Sequence, residues 1–172
     1  MPRYFKISTL CLVLVTAHWS GLHAAQTKPA PPAPVPVQIL AAKRVFIANA
    51  GGDELAPDGP SFSGEPSRAY DQFYAAMKSW GRFEIVDSPA QADLLLEIRQ
   101  EVRAEHIPDG PLFHLTVRDP RTNALLWAFH IHGQFAMGQS NSDRNFDQAV
   151  ARLVSHLQAL VVQSPAGDAT KP

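Results

Sequence analysis

The chain has 172 residues, with 15 Lys and Arg against 16 Asp and Glu, a formal net charge of −1 and one cysteine. Its length and its 45% share of apolar residues suffice for one domain with its own core. The charge balance excludes the basic surface that nucleic acid or an anionic membrane requires, and a lone thiol excludes a disulfide framework and a Cys-based zinc site.

In chain order, the first element reads as a secretion leader. Arg3 and Lys6 form a positive start, residues 7–17 are almost wholly apolar, and Leu22-His23-Ala24-Ala25 offers small residues for cleavage after Ala24 or Ala25. The apolar run is shorter than the ~20 residues a membrane span needs. Cys11 sits inside that run behind Thr9 and Leu10, which is the wrong place for lipid acylation. Cleavage removes Cys11, Arg3 and Lys6 and no acid, so 13 of the 15 basic residues face 16 acids, a net −3. The expected mature protein is exported, periplasmic or secreted, free of thiols and without a stable membrane span.

Residues 26–37 carry Pro29, Pro31, Pro32, Pro34 and Pro36 among Ala and Val, a composition that favours extended polyproline II over helix or ladder. The expected organisation is a signal peptide over 1–25, a proline-rich linker over 26–38, one domain over 39–163 and a tail of disordered composition over 164–172. Within the domain, residues 43–50 form a short apolar strand stopped by Gly51-Gly52. A Gly- and Pro-rich acidic loop runs to Pro66. Ser67 then stands where a helix cap is expected, ahead of Tyr70, Phe73, Tyr74, Met77 and Trp80 at helical spacing, with Gly81 as terminator.

Residues 83–86 are a second strand, and Ser88-Pro89 opens a helical turn no longer than residues 89–93. The third strand, 94–102, alternates Leu94, Leu96, Ile98 and Val102 against Glu97, Arg99, Glu101 and the following Arg103, the pattern of a sheet covered on one side. Residues 112–118 and 125–135 form a hairpin. Phe113, Leu115 and Val117 must share a face with Leu125, Trp127, Phe129 and Ile131, so odd positions pair with odd. A loop of Arg121 to Asn123, with Asn123 left-handed, meets that condition and sets His114 opposite His130. Asn145 is read as the cap of a last helix bearing Phe146, Ala149, Val150, Leu153, Leu157, Leu160 and Val161. The predicted fold class is α+β: a two-layer sandwich with a five-stranded mixed sheet in the order 2-1-3-4-5 and both long helices on one face.

Trp80-Gly81-Arg82-Phe83-Glu84-Ile85-Val86-Asp87, followed by Ala90-Gln91-Ala92-Asp93-Leu94-Leu95-Leu96, resembles the small α/β domain found at the amino terminus of TolB and in curli-secretion lipoproteins of the CsgG type. Asp119-Pro120-Arg121-Thr122 before Leu126-Trp127 is similar to the late hairpin of such domains. The resemblance implies an envelope domain used for binding or assembly, and no reaction. The chain departs from the pattern in lacking an acylated Cys, a pore-forming insertion and a following propeller, so pore formation and TolB's partner surface do not carry over.

The sharpest chemical constellation lies on the open sheet face. His130 and His132 point the same way ~6.5 Å apart along the strand, with His114 ~5 Å across from His130. Three imidazoles can hold zinc with a fourth position open, and Glu97 or Glu101 can orient a ligand or act as base. The competing reading is a solvated face that carries His among Thr116, Arg118 and Gln134.

Asp53, Glu54 and Asp58 could gather calcium but lack the alternation of an EF-hand, and Gly51-Gly52 lacks the Lys of a phosphate loop. His106 and His156 have no evident partners, and no nucleophile elbow is present. Two function classes remain. The first is an exported, non-enzymatic binding or assembly module of the envelope, with another envelope protein as partner and no cofactor. The second is a small metal-binding protein or metal-dependent hydrolase using His114, His130 and His132, with zinc as the cofactor. The outer strands, above all residues 83–86, offer edges to a partner's strand. Oligomeric state is left open by the sequence.

Overall fold

The computed structural model describes residues 33–52, 63–64, 66–101, 110–134 and 136–162. The expected leader, Pro29 to Pro32, the acids Asp53, Glu54 and Asp58, His106 and the expected tail from residue 164 lie outside them. The chain divides into Met1–Pro32 and Ala33–Pro172, and every described residue belongs to the second unit.

That unit runs α1 (Val37–Ala41), β1 (Arg44–Gly52), α2 (Arg68–Trp80), β2 (Glu84–Ile85), a 3₁₀ turn (Pro89–Gln91), β3 (Leu94–Glu101), β4 (Leu112–Arg118), β5 (Leu125–His132) and α3 (Gln139–Val162). The strands form one sheet in the order β2-β1-β3-β4-β5, as the sequence predicts. β1 is parallel to both β2 and β3, and β3, β4 and β5 form an antiparallel meander.

Burial follows strand alternation. Val45 and Ile47 from β1, Leu94, Leu96 and Ile98 from β3, and Phe113, Leu115 and Val117 from β4 all point into one layer. α2 meets them with Ala69, Phe73 and Met77, and α3 with Phe146, Ala149, Val150, Leu153, Val154, Leu157 and Leu160. Phe113 and Phe146 meet edge to face, with ring centroids 4.8 Å apart. Gln100 continues the inward parity of β3 and is the one buried polar residue among the described residues.

Four local expectations change. Ser67 has helical dihedrals (φ −81°, ψ −4°), so its hydroxyl is not aimed at the first-turn amides and instead donates to Asp71 Oδ2 at 2.9 Å. Asn145 is not a cap, because α3 begins at Gln139. The extra turns, residues 139–144, are wholly polar and carry no apolar periodicity that would reveal them. Asn145 instead donates from Nδ2 to the Gln134 carbonyl at 3.0 Å.

α1 follows Pro36 directly and plugs the core with Ile39, which is wholly buried. Finally, the hairpin closes one residue earlier on the β4 side than predicted. Asp119 N–H donates to the Ala124 carbonyl at 3.0 Å, and Asn123 N–H to the Asp119 carbonyl at 2.8 Å. Val117 pairs with Trp127 but Arg118 with Leu125, so a bulge absorbs the extra residue and keeps the core parity. Asn123 does adopt the left-handed conformation, with φ 58°. Gly81 ends α2 at φ 66°, where its N–H reaches the Met77 carbonyl.

Candidate binding face and its surroundings

Both helices cover one side of the sheet, so even positions of β4 and β5 and odd positions of β3 make up the open side. The cross-strand register Glu97↔Thr116, Arg99↔His114 and His114↔His130 then decides which polar side chains meet. Arg118 Nε donates to Glu97 Oε2 at 2.7 Å, and Thr116 Oγ1 donates to the same oxygen at 2.9 Å. Arg118 also reaches the Asn123 carbonyl at 3.1 Å, which locks the hairpin loop to the face. One step along, His114 Nε2 lies 3.0 Å from Glu101 Oε2, and Arg99 Nη2 lies 3.8 Å from Glu101 Oε1. The carboxylates and the Arg118 and His114 side chains are between 24% and 31% exposed, so water still reaches a row whose geometry is already set.

The three histidines fall where the register places them. His114 and His130 are opposed, with ring centroids 5.9 Å apart and planes tilted by 66°. His132 is opposite Leu112 and exposed. Of the two acids named with them, Glu101 engages His114, while Glu97 is committed to Thr116 and Arg118. Among the described residues, no group of three or more His, Cys, Asp or Glu converges tightly enough to hold a metal ion. His156, on α3, packs edge-on against Phe129 at 6.1 Å.

Sequence reasoning misses an open cleft of about 630 Å³ at the end of the sheet where β1 and β3 begin. Its walls include Lys43, Arg44, Glu84, Asp93, Asp119 and Arg121, residues brought together only by the fold. Asp93 is its organiser. One oxygen accepts the backbone N–H of Lys43 at 3.0 Å and of Arg44 at 2.9 Å, and the other faces the Arg44 guanidinium at 3.3 Å. The two backbone N–H donors, followed by the guanidinium, hold the Asp93 carboxyl below its ordinary value. Asp119 is held low in the same way, chiefly by the Arg121 N–H. Asp93, just before β3, therefore pins the start of β1 to the start of β3.

A second missed centre joins the helices. Arg68 donates from Nη1 to Asp143 Oδ1 and from Nη2 to Asp147 Oδ1, each at 2.6 Å, while its guanidinium lies 4.3 Å above the Phe146 ring. Asp143 also accepts the N–H and hydroxyl of Ser63, both at 2.7 Å. Opposite charges 75 and 79 residues apart leave no local spacing to read.

Strand edges also differ from expectation. Residues 83–86 shrink to a two-residue β2, whereas β5 leaves an eight-residue edge. No helix among the described residues is long and apolar enough to cross a membrane.

No protein-family model matches the chain, and no curated protein matches it. Its similarities to solved structures are at low identity. The chain is similar to PelC, a dodecamer from Paraburkholderia phytofirmans, at 15% identity over 67% of this chain and 87% of that one, with a TM-score of 0.47. It is also similar to TolB from Acinetobacter baumannii, at 15% identity over 73% of this chain and 29% of that one, with a TM-score of 0.44. The LpoB C-terminal domain from Salmonella enterica matches at 10% identity over 54% and 83% of the two chains, with a TM-score of 0.38.

Proposed function

We propose that this chain is an exported binding or assembly domain of the bacterial envelope that catalyses no reaction, and that the open sheet face receives another envelope protein. The carrying observation is the row Arg118–Glu97–Thr116 and His114–Glu101, a set of polar side chains fixed in place by one another on a face no other described element covers. Preorganised groups lose little rotamer freedom when a partner docks, which favours binding. The leader supports export, and the proline-rich segment supports a domain held on a spacer.

Site-specific photo-cross-linking in the native cell tests this reading. A cross-linker at Arg99, exposed on the open face, is expected to capture one envelope protein, while one at Lys78, exposed on α2, does not. Equal capture at both positions, or none at Arg99, rejects the face as the docking site.

The opposition of His114 and His130 favours a second reading, in which zinc draws in His132, although the three do not converge in the structure as it stands. Calorimetry separates the two. Binding heat that disappears in the His130→Ala, His132→Ala double variant supports zinc, and an absence of heat in the unaltered protein removes it.

A further inference from the structure

An edge strand exposes every second residue's N–H and C=O, and one bond identifies which residues those are in β5. Gly133 N–H donates to the Pro111 carbonyl at 2.7 Å. In antiparallel alternation, Ile131, Phe129 and Trp127 therefore bond inward to Phe113, Leu115 and Val117, and Ala128 and His130 turn their backbone groups away from β4. His132 has the outward parity too, and its carbonyl accepts Arg152 Nη2 at 2.9 Å. The bulge interrupts the other end at Leu125 and Leu126. The usable edge is thus residues 127–131, and its midpoint is Phe129.

Natural edges are guarded by charge, proline or brevity. β5 has the sequence Leu-Leu-Trp-Ala-Phe-His-Ile-His, with no Lys, Arg, Asp, Glu or Pro over eight residues. On its helix side, Trp127 and Phe129 are only partly buried, whereas their β4 neighbours Val117 and Leu115 are 0% exposed.

We propose that β5 pairs antiparallel with β5 of a second copy of this chain, about a two-fold axis at Phe129, joining two sheets into one. This register sets Ala128 opposite the partner's His130 and Trp127 opposite the partner's Ile131. Phe129 lies beside the partner's Phe129. About four new backbone hydrogen bonds form, and the half-covered aromatics close over one another. The alternative axis at His130 requires the His132 carbonyl to leave Arg152 and stacks imidazole on imidazole.

A second copy fits better than an unrelated strand because the edge carries no charge to select an opposite one. Its helix-side positions, Trp127, Phe129 and Ile131, are also large and apolar in either direction from Phe129. Beside the edge, Ala151, Arg152 and Ser155 of α3 line an open cleft of about 400 Å³, which side chains of the second copy can enter. The inference does not depend on the docking face proposed above.

Analytical ultracentrifugation across micromolar concentrations tests it on the full chain carrying Cys11→Ser. The expected result is a dimer, with the sedimenting mass halved in Ala128→Pro, which deletes only an outward N–H. His130→Lys, an edge guard, should do the same, and circular dichroism checks that both variants fold. Phe129→Cys in the Cys11→Ser chain should form a disulfide-linked dimer on mild oxidation, because Cα atoms at such a crossing lie ~4.5 Å apart. Thr122→Cys, in the hairpin loop, should not. A monomer at every concentration, a dimer unchanged in the folded edge variants, or no disulfide at Phe129→Cys overturns the proposal. If neither edge variant folds, the disulfide result alone decides it.

Discussion

Arg68 shows how one side chain can hold two elements together while leaving no trace in local sequence. Its side chain is 15% exposed, and its guanidinium is bonded to two carboxylates and stacked on Phe146. Deleting it leaves Asp143 without its main partner at the helix junction. Arg68→Ala should cost about 2 kcal/mol, since hydrogen bonds to charged groups are worth ~1.5–3 kcal/mol each and the site is partly solvated. A urea titration reads the loss directly.

The same contact governs acid sensitivity. Arg68, with help from Ser63, holds the Asp143 carboxyl below its ordinary 3.8. A carboxyl lowered in the folded state adds stability that is fully present above its unfolded value and is lost as pH falls through the folded one. Melting temperature should therefore decline below about pH 4, and Arg68→Ala should flatten that decline. Asp93→Asn should flatten it as well, because the N–H groups of Lys43 and Arg44 and the Arg44 guanidinium also favour the charged form there.

At the scale of elements, α3 is the main cover of the sheet. Phe146→Ala removes a fully buried ring that meets Phe113 edge to face and lies under Arg68. The expected cost is ~3–5 kcal/mol, read by thermal or denaturant unfolding. Backbone geometry makes its own demand at Gly110. Its φ is 60°, and a Cβ there would run into the carbonyl of Gly133, whose N–H bonds Pro111 at the open end of the β4–β5 hairpin. Gly110→Ala should therefore lower the melting temperature, whereas Gly81→Ala, also at positive φ but in open space, should cost only the ~1–2 kcal/mol of a left-handed residue.

Element type and strand order were legible because periodicity reports burial. Alternation in β3, helical spacing in α2 and matching parity in the hairpin each follow from which side chains must meet. What stayed hidden had no apolar period: the polar first turns of α3, the five-residue α1 behind its prolines, and the bulge at Leu125 and Leu126. The opposition of His114 and His130 was readable because core parity and a short loop together select it, and the bulge keeps that register. The commitment of Glu97 to Arg118 and Thr116 was not, since side-chain choices among close neighbours are decided by geometry that sequence does not contain.

For the whole molecule, the export proposal makes a chemical prediction. Mass spectrometry of the protein recovered from its native cell should find an amino terminus at Ala25 or Gln26, with no residue of the leader and no cysteine. An intact Met1 or a lipid-modified Cys11 would reject it. The contrast between cleft and sequence is sharpest at this scale. Lys43, Asp93, Asp119 and Arg121 come from separated stretches, so no motif could announce their meeting at one end of the sheet.

The burial of Ile39 gives the domain a mechanical property. α1 is held by the Arg82 guanidinium on the Leu40 and Ala42 carbonyls and by Gln38 reaching Asp119. Tension applied to residues before Ala33 must withdraw Ile39 from the core before it can peel β1 from its neighbours. α1 therefore acts as a plug: a pull on Ala33 reaches the sheet only by way of the buried Ile39.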